Sequence, residues 1–78
     1  MTISPQPVTG IDNTDFQLWL RDQVAEAEGL ATIKDVSKFL TDLGNPRMCV
    51  ETIDQRSLKV SLKSRLAEKD VPLLLISL

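Results

Sequence analysis

The chain has 78 residues and a formal net charge of −2. This length allows one domain with a small core. Hydrophobic residues make up 42% and charged residues 26% of the sequence, which is typical of a globular domain and excludes a disordered or low-complexity chain. The sequence has no histidine and a single cysteine, Cys49. An intramolecular disulfide, a Cys/His zinc site and a histidine-dependent catalytic triad are therefore excluded within one chain.

Charge is unevenly distributed along the chain. Residues 1–44 contain three basic and seven acidic residues, whereas residues 45–78 contain six basic and four acidic residues. The N-terminus has no early basic residue and no apolar stretch of the kind found in secretory signals. No apolar run reaches the length of a membrane span. We expect a cytoplasmic protein without membrane contacts.

The first eleven residues are predicted to be a flexible N-terminal tail, and residues 12–78 a single small domain. Pro5 and Pro7 disfavour a helix. The first helix is then predicted to begin near Thr14, with Thr14 and Gln17 as a capping box, and to end at Gly29. Its apolar residues follow helical spacing and predict one buried stripe, formed by Phe16, Trp19, Leu20, Val24 and Ala27.

A second helix is predicted to follow almost immediately, forming a two-helix hairpin. Thr32 and Asp35 fit the N-cap pattern, and Gly44 with Asn45-Pro46 ends the helix. The predicted apolar stripe consists of Ile33, Val36, Phe39, Leu40 and Leu43.

The C-terminal half is predicted to form a small sheet. Residues 47–53 and 71–78 have the composition of strands, and the apolar run 71–78 requires cover on both faces or a partner across a subunit boundary. Residues 54–70 fit two periodicities: a helix from about Ser57 to Lys69, which the helix-forming composition favours, or a β-hairpin turning at 54–57. The predicted fold is α+β with element order α-α-β-α-β, or alternatively α-α-β-β-β. Two strands make a poor sheet, so either a third strand lies in residues 1–11 or a partner chain completes it.

No arrangement of side chains predicts catalysis, a metal site or a cofactor. The acidic pairs, Asp12 with Asp15 and Glu26 with Glu28, fit helix-end and surface charges better than a catalytic pair. Cys49 fits a small hydrophobic residue of a strand better than a reactive thiol.

Two short segments resemble known families. Residues 31–38, beginning ATIKDV, resemble the opening helix of the LacI-type helix-turn-helix, although Asn45-Pro46 replaces the turn into a recognition helix. A winged-helix variant would place a helix carrying Arg56, Lys59, Lys63 and Arg65 in the major groove of DNA. Residues 50–54, a helix and then residues 71–77 are similar in order to the latter part of the thioredoxin-like fold, with Val71-Pro72 in the place of its cis proline, but without a CxxC motif.

Protein binding is the function that the sequence favours. Leu18 lies off the predicted buried stripe, and aromatic residues such as Trp19 are enriched at binding hot spots. We expect a non-enzymatic regulatory or interaction module, acting on a protein partner and forming a homodimer, with DNA binding through residues 56–65 as the alternative. The predicted partner-binding residues are Leu18, Trp19, Arg21, Asp22 and Glu26.

Overall fold

The computed structural model describes residues 1–63 and 69–78. They form two helices and one four-stranded antiparallel sheet with the order β1-β4-β3-β2. Strands β2, β3 and β4 follow one another as antiparallel neighbours, and β1 pairs with the far side of β4. The elements in chain order are β1 (Thr2–Pro5), α1 (Ile11–Glu26), α2 (Ile33–Asp42), β2 (Met48–Thr52), β3 (Ser57–Lys63) and β4 (Asp70–Ser77).

The core lies between the two helices and one face of the sheet. Helix α1 packs against β1 and β4, and α2 packs against β2 and β3. Alternate residues of the strands reach the helices, so the sheet has a helix face and an open face. The buried core residues are Leu20, Val24, Ile33, Val36, Leu40, Leu58, Val60, Leu62, Leu73, Leu74 and Ile76.

Helix α2 confirms the second predicted helix. The Asp35 backbone N–H donates to the Thr32 hydroxyl at 3.2 Å, and the Asp35 carboxylate accepts from the Thr32 N–H at 3.1 Å, which completes a capping box. The helix ends at Asp42, and Gly44 follows with a φ of +74°, a conformation that glycine adopts without steric cost. Ile33, Val36 and Leu40 of the predicted stripe are buried.

The predicted ends of the first helix are wrong. Helix α1 begins at Ile11 and ends at Glu26, and Gly29 lies beyond it. Thr14 does not cap the helix, because its hydroxyl donates to the Gly10 carbonyl at 2.9 Å. Gln17 does not complete a capping box either, since its side chain is buried and donates to the carbonyls of Gln6 and Leu73, both at 2.7 Å.

Residues 2–5 form a strand and not the predicted tail. Strand β1 pairs with β4, with Ile3 opposite Ile76 and Pro5 opposite Leu74. Ile3 packs against the core, and that burial favours the strand despite the prolines. Pro5 is compatible with this strand because β1 lies at an edge of the sheet. The third strand anticipated in residues 1–11 is therefore present within the chain.

The favoured helix is wrong over residues 57–63, where the β-hairpin alternative is right; residues 64–68 of that prediction lie outside the described residues. Residues 57–63 form β3, which pairs with β2 and places Leu58, Val60 and Leu62 against the helices. The turn is tightened by the Arg56 N–H, which donates to the Asp54 carboxylate at 2.7 Å. Burial of three apolar side chains outweighs the local helix propensity of this segment.

Strand β4 confirms the predicted C-terminal strand, and both of its neighbours, β1 and β3, run antiparallel to it. It lies inside the sheet between β3 and β1, and residues 74–77 are paired on both sides, so this part of β4 is not a free edge for pairing between subunits. The β3–β4 register shifts at Val60/Ser61, which leaves Leu73 as an extra residue beside Pro72. A bulge of this kind accommodates a proline within an inner strand.

The order of elements, α-α-β-β-β preceded by β1, also differs from the thioredoxin-like arrangement, and the Val71–Pro72 bond is trans. Neither described helix is long and apolar enough to cross a membrane.

Candidate functional site

The five residues predicted to bind a partner all lie on α1. Leu18 and Trp19 are 40% and 46% exposed, although Trp19 was also predicted to lie on the buried stripe. The side of α1 that faces the sheet carries Gln17, Leu20 and Val24. This buried stripe is narrow, because the helix covers only the β1–β4 half of the sheet, and Trp19 therefore lies outside it.

The exposed side of α1 combines large apolar residues with acidic ones. Positions 11, 15, 18, 22 and 26 recur at intervals of three or four residues, so they follow one line along the helix, and Asp12 and Trp19 lie beside that line. We call this surface the α1 outer surface. It consists of Ile11, Asp12, Asp15, Leu18, Trp19, Asp22 and Glu26, all of which are exposed.

Trp19 is held against the core by one aromatic contact. The ring of Phe16 lies 5.7 Å from the Trp19 ring, centroid to centroid, with the planes tilted by 35°. Phe16 is half-buried and packs against the core cluster. Aromatic pairs at this distance contribute about 0.5–1.5 kcal/mol beyond the area they bury. Trp19 thus packs on the half-buried Phe16 while it remains 46% exposed.

The α1 outer surface is negatively charged. It carries four carboxylates and no cationic side chain of its own. Arg21 lies at its margin, where its guanidinium approaches the Asp22 carboxylate to 3.3 Å. Both side chains of this pair are about half exposed, and such pairs contribute little to stability. The surface therefore favours a partner with positive charge.

An open depression adjoins the N-terminal end of this surface. It has a volume of about 460 Å³ and is lined by Gly10, Ile11, Thr14 and Asp15. Ile11 is 80% exposed, which makes it the most exposed large apolar side chain among residues 1–63 and 69–78. The depression and Ile11 extend the apolar part of the surface beyond Leu18.

The residues predicted for DNA binding do not form a recognition helix. Lys59 and Lys63 lie on strand β3, and Arg56 lies in the turn before it. Lys59 is paired with Glu51 of β2 at 3.4 Å. Arg65 lies outside the described residues. Alternation along β3 puts Lys59 and Lys63 on the open face of the sheet. They lie on a strand, and not on a helix that could enter the major groove of DNA as predicted.

Cys49 is half-buried on β2, with Ser61 of β3 opposite to it. No group of three or more potential metal ligands comes together among residues 1–63 and 69–78.

Sequence reasoning missed three members of the α1 outer surface: Ile11, Asp12 and Asp15. The two aspartates were interpreted as helix-end charges, and Ile11 was assigned to the tail. The signal that could have found them is the spacing of 11, 15, 18, 22 and 26, which required the helix to begin at Ile11 instead of Thr14.

No protein-family model, curated protein or solved structure matches this chain.

Proposed function

We propose that this protein is a non-enzymatic protein-binding module and that its α1 outer surface binds a basic segment of a partner that carries an apolar anchor. The observation that carries this proposal is the exposure of Trp19 and Leu18 within a row of carboxylates. Exposed apolar surface rimmed by polar residues is typical of binding sites.

The chemistry of the surface supports this assignment in two ways. Trp is among the residues most enriched at hot spots, because it buries a large area at a low cost in conformational entropy. The surrounding carboxylates attract a basic partner and reject an acidic one, so they provide specificity and a faster association rate. The lack of histidine in the sequence supports a non-enzymatic role.

The proposal can be tested with two synthetic peptides that share a leucine-rich helical face. In one peptide the flanking positions are Lys and Arg, and in the other they are Glu. Trp19 is the only Trp and the chain has no Tyr, so its fluorescence reports on the proposed contact directly. We expect the basic peptide to shift the Trp19 emission and the acidic peptide to leave it unchanged.

Variants locate the contact on α1. Trp19→Ala, measured by calorimetry, is expected to lower the affinity by about 2 kcal/mol, which is roughly thirtyfold in Kd. Asp22→Lys is expected to weaken binding, whereas Asp42→Lys makes the same charge change at an exposed position of α2 and is expected to have little effect. Equal binding of both peptides, or equal effects of the two Lys variants, would refute the proposed surface.

A further inference from the structure

Strand β2 is an open edge of the sheet in the part of the chain that the structure describes. It pairs with β3 on one side only. The opposite edge, β1, ends at Pro5 and is followed by Pro7, and prolines at an edge obstruct further pairing. Strand β2 contains no Pro and no Lys between Met48 and Thr52. Within Met48–Thr52 no proline blocks the free backbone groups, although Pro46 lies two residues before the strand.

The direction of the backbone groups of β2 follows from its pairing with β3. The Lys63 N–H donates to the Arg47 carbonyl at 2.8 Å, and the Ile53 N–H donates to the Ser57 carbonyl at 3.0 Å. Residues of an antiparallel ladder alternate, so the odd-numbered residues of β2 direct their groups toward β3. The even-numbered residues direct theirs outward, which leaves the Val50 N–H and the Met48 carbonyl facing the open edge.

The two faces of β2 carry different side chains. By alternation, Cys49 and Glu51 lie on the open face of the sheet, and Glu51 reaches Lys59 at 3.4 Å. Arg47 lies in the turn just before β2, and its guanidinium donates to the Lys63 carbonyl of β3 at 2.8 and 3.3 Å. Met48 and Val50 lie on the helix face, where both pack against the core cluster. In chain order, the basic Arg47 precedes the thiol of Cys49 and the acidic Glu51, and the helix-face residues between them are apolar.

We propose that β2 pairs with β2 of a second copy of this chain, antiparallel, with Cys49 on the two-fold axis. In that register Arg47 of each copy lies opposite Glu51 of the other, and Met48 lies opposite Val50. The Val50 N–H of each copy then donates to the Met48 carbonyl of the other. A shift by two residues removes both charge pairs, so the order of charges selects this register.

A second copy fits this edge because the strand is complementary to itself. Reversing its direction exchanges Arg47 with Glu51 and Met48 with Val50, which matches charge with opposite charge and apolar with apolar. The pairing also continues the core across the boundary on the helix face. One short strand per subunit makes a small interface, so the dimer is weak and depends on concentration.

The first experiment measures the oligomeric state in reducing buffer by sedimentation over a range of concentrations. The wild type is expected to shift from monomer to dimer. Arg47→Glu and Glu51→Arg each place like charges opposite one another twice, and each is expected to weaken dimerisation about tenfold. The double variant Arg47→Glu/Glu51→Arg restores opposite charges and is expected to restore the dimer, a result that damage to the fold would not produce.

The second experiment tests the register through Cys49. Side chains of directly opposite residues in a non-hydrogen-bonded pair lie close enough for a disulfide. Diamide takes two electrons and two protons from the two thiols, becomes the hydrazine and leaves a disulfide between the copies. We expect rapid crosslinking of the wild type, slow crosslinking of Glu51→Arg, and wild-type behaviour of Glu28→Arg, which makes the same charge change outside the strand.

Three outcomes would overturn the proposal: a wild type that stays monomeric throughout, a double variant no better than the single ones, or equal crosslinking of wild type and Glu51→Arg. The β2 edge lies apart from the α1 outer surface, so peptide binding and dimerisation can fail independently.

Discussion

The buried side chain of Gln17 connects helix α1 to the end of β1 and to β4, so its replacement tests how these three elements are held together. Its amide nitrogen donates to the Gln6 carbonyl after β1 and to the Leu73 carbonyl at the bulge of β4, both at 2.7 Å. The Gln6 N–H also donates to the Leu73 carbonyl at 2.8 Å. One α1 side chain thus fixes the end of β1 and the irregular part of β4.

Gln17→Met keeps the length of the side chain and the helix propensity but removes both donors. Each hydrogen bond contributes about 1 kcal/mol net, and a buried carbonyl left without a partner costs about a further 1 kcal/mol. The Leu73 carbonyl keeps the Gln6 N–H, so this additional cost falls on Gln6 alone. We expect a loss of about 2–3 kcal/mol in the free energy of unfolding, or about 10–20 °C in Tm for a domain of this size.

The assay is urea unfolding followed by far-UV circular dichroism and by Trp19 fluorescence, which report on the whole domain and on α1. Gln23→Met makes the same exchange at a half-buried position of the same helix and is expected to change stability by less than about 0.5 kcal/mol. If Gln17→Met and Gln23→Met have equal effects, the proposed role of the Gln17 amide is refuted.

Two further stability predictions concern the capping box and the two faces of the sheet. Thr32→Ala removes the side-chain cap of α2 and is expected to cost about 1 kcal/mol by urea unfolding, whereas Thr41→Ala in the last turn is expected to cost less; equal losses would contradict the role of the cap. Leu74→Ala, at a fully buried position on the helix face, is expected to cost about 2–5 kcal/mol, and Leu75→Ala, half-buried on the open face of the same strand, clearly less. Equal losses in calorimetric melts of these two variants would mean that the open face is covered as well.

Local signals were enough to predict α2. Thr32 and Asp35 form their capping box through atoms three residues apart, and Gly44 ends the helix by its own backbone conformation. The same kind of signal misled the prediction for α1. Thr14 and Gln17 have the spacing of a capping box, but Gln17 makes its hydrogen bonds with residues far away in the sequence, which no local pattern records.

The strands depended on tertiary contacts that the sequence does not show. Strand β1 exists because Ile3 packs on the core beside Ile76, from the opposite end of the chain. In β3, the residues Leu58 and Leu62 satisfy helical and strand spacing equally, and the presence of two helices above the sheet decides between them. The prediction of β4 as a strand was right, but its expected cover on both faces was not: the two helices pack on one face, and β4 is buried there while β1 and β3 pair with its edges.

The candidate site was predictable in composition but not in geometry. Leu18 was identified from its position off the predicted buried stripe and Trp19 from its residue type, and both are exposed. Which acidic residues lie beside Leu18 and Trp19 depends on where α1 begins. No side-chain N-cap marks that position in the sequence. The alternative site relied on a helix over 57–69; Lys59 and Lys63 lie on strand β3 instead, and Arg65 lies outside the described residues.

The positions of the two helices determine where the α1 outer surfaces would lie in a dimer joined at β2. Helix α1 covers the β1–β4 half of the sheet, and α2 covers the half that includes β2. A dimer joined at β2 would therefore place its two α1 outer surfaces at opposite ends of a continuous eight-stranded sheet. Such a dimer binds a partner with two basic segments more tightly than either site alone, provided that the linker between the segments spans the sheet. Charge variants at Glu51 would then weaken binding of a two-segment peptide while leaving a single-segment peptide unaffected.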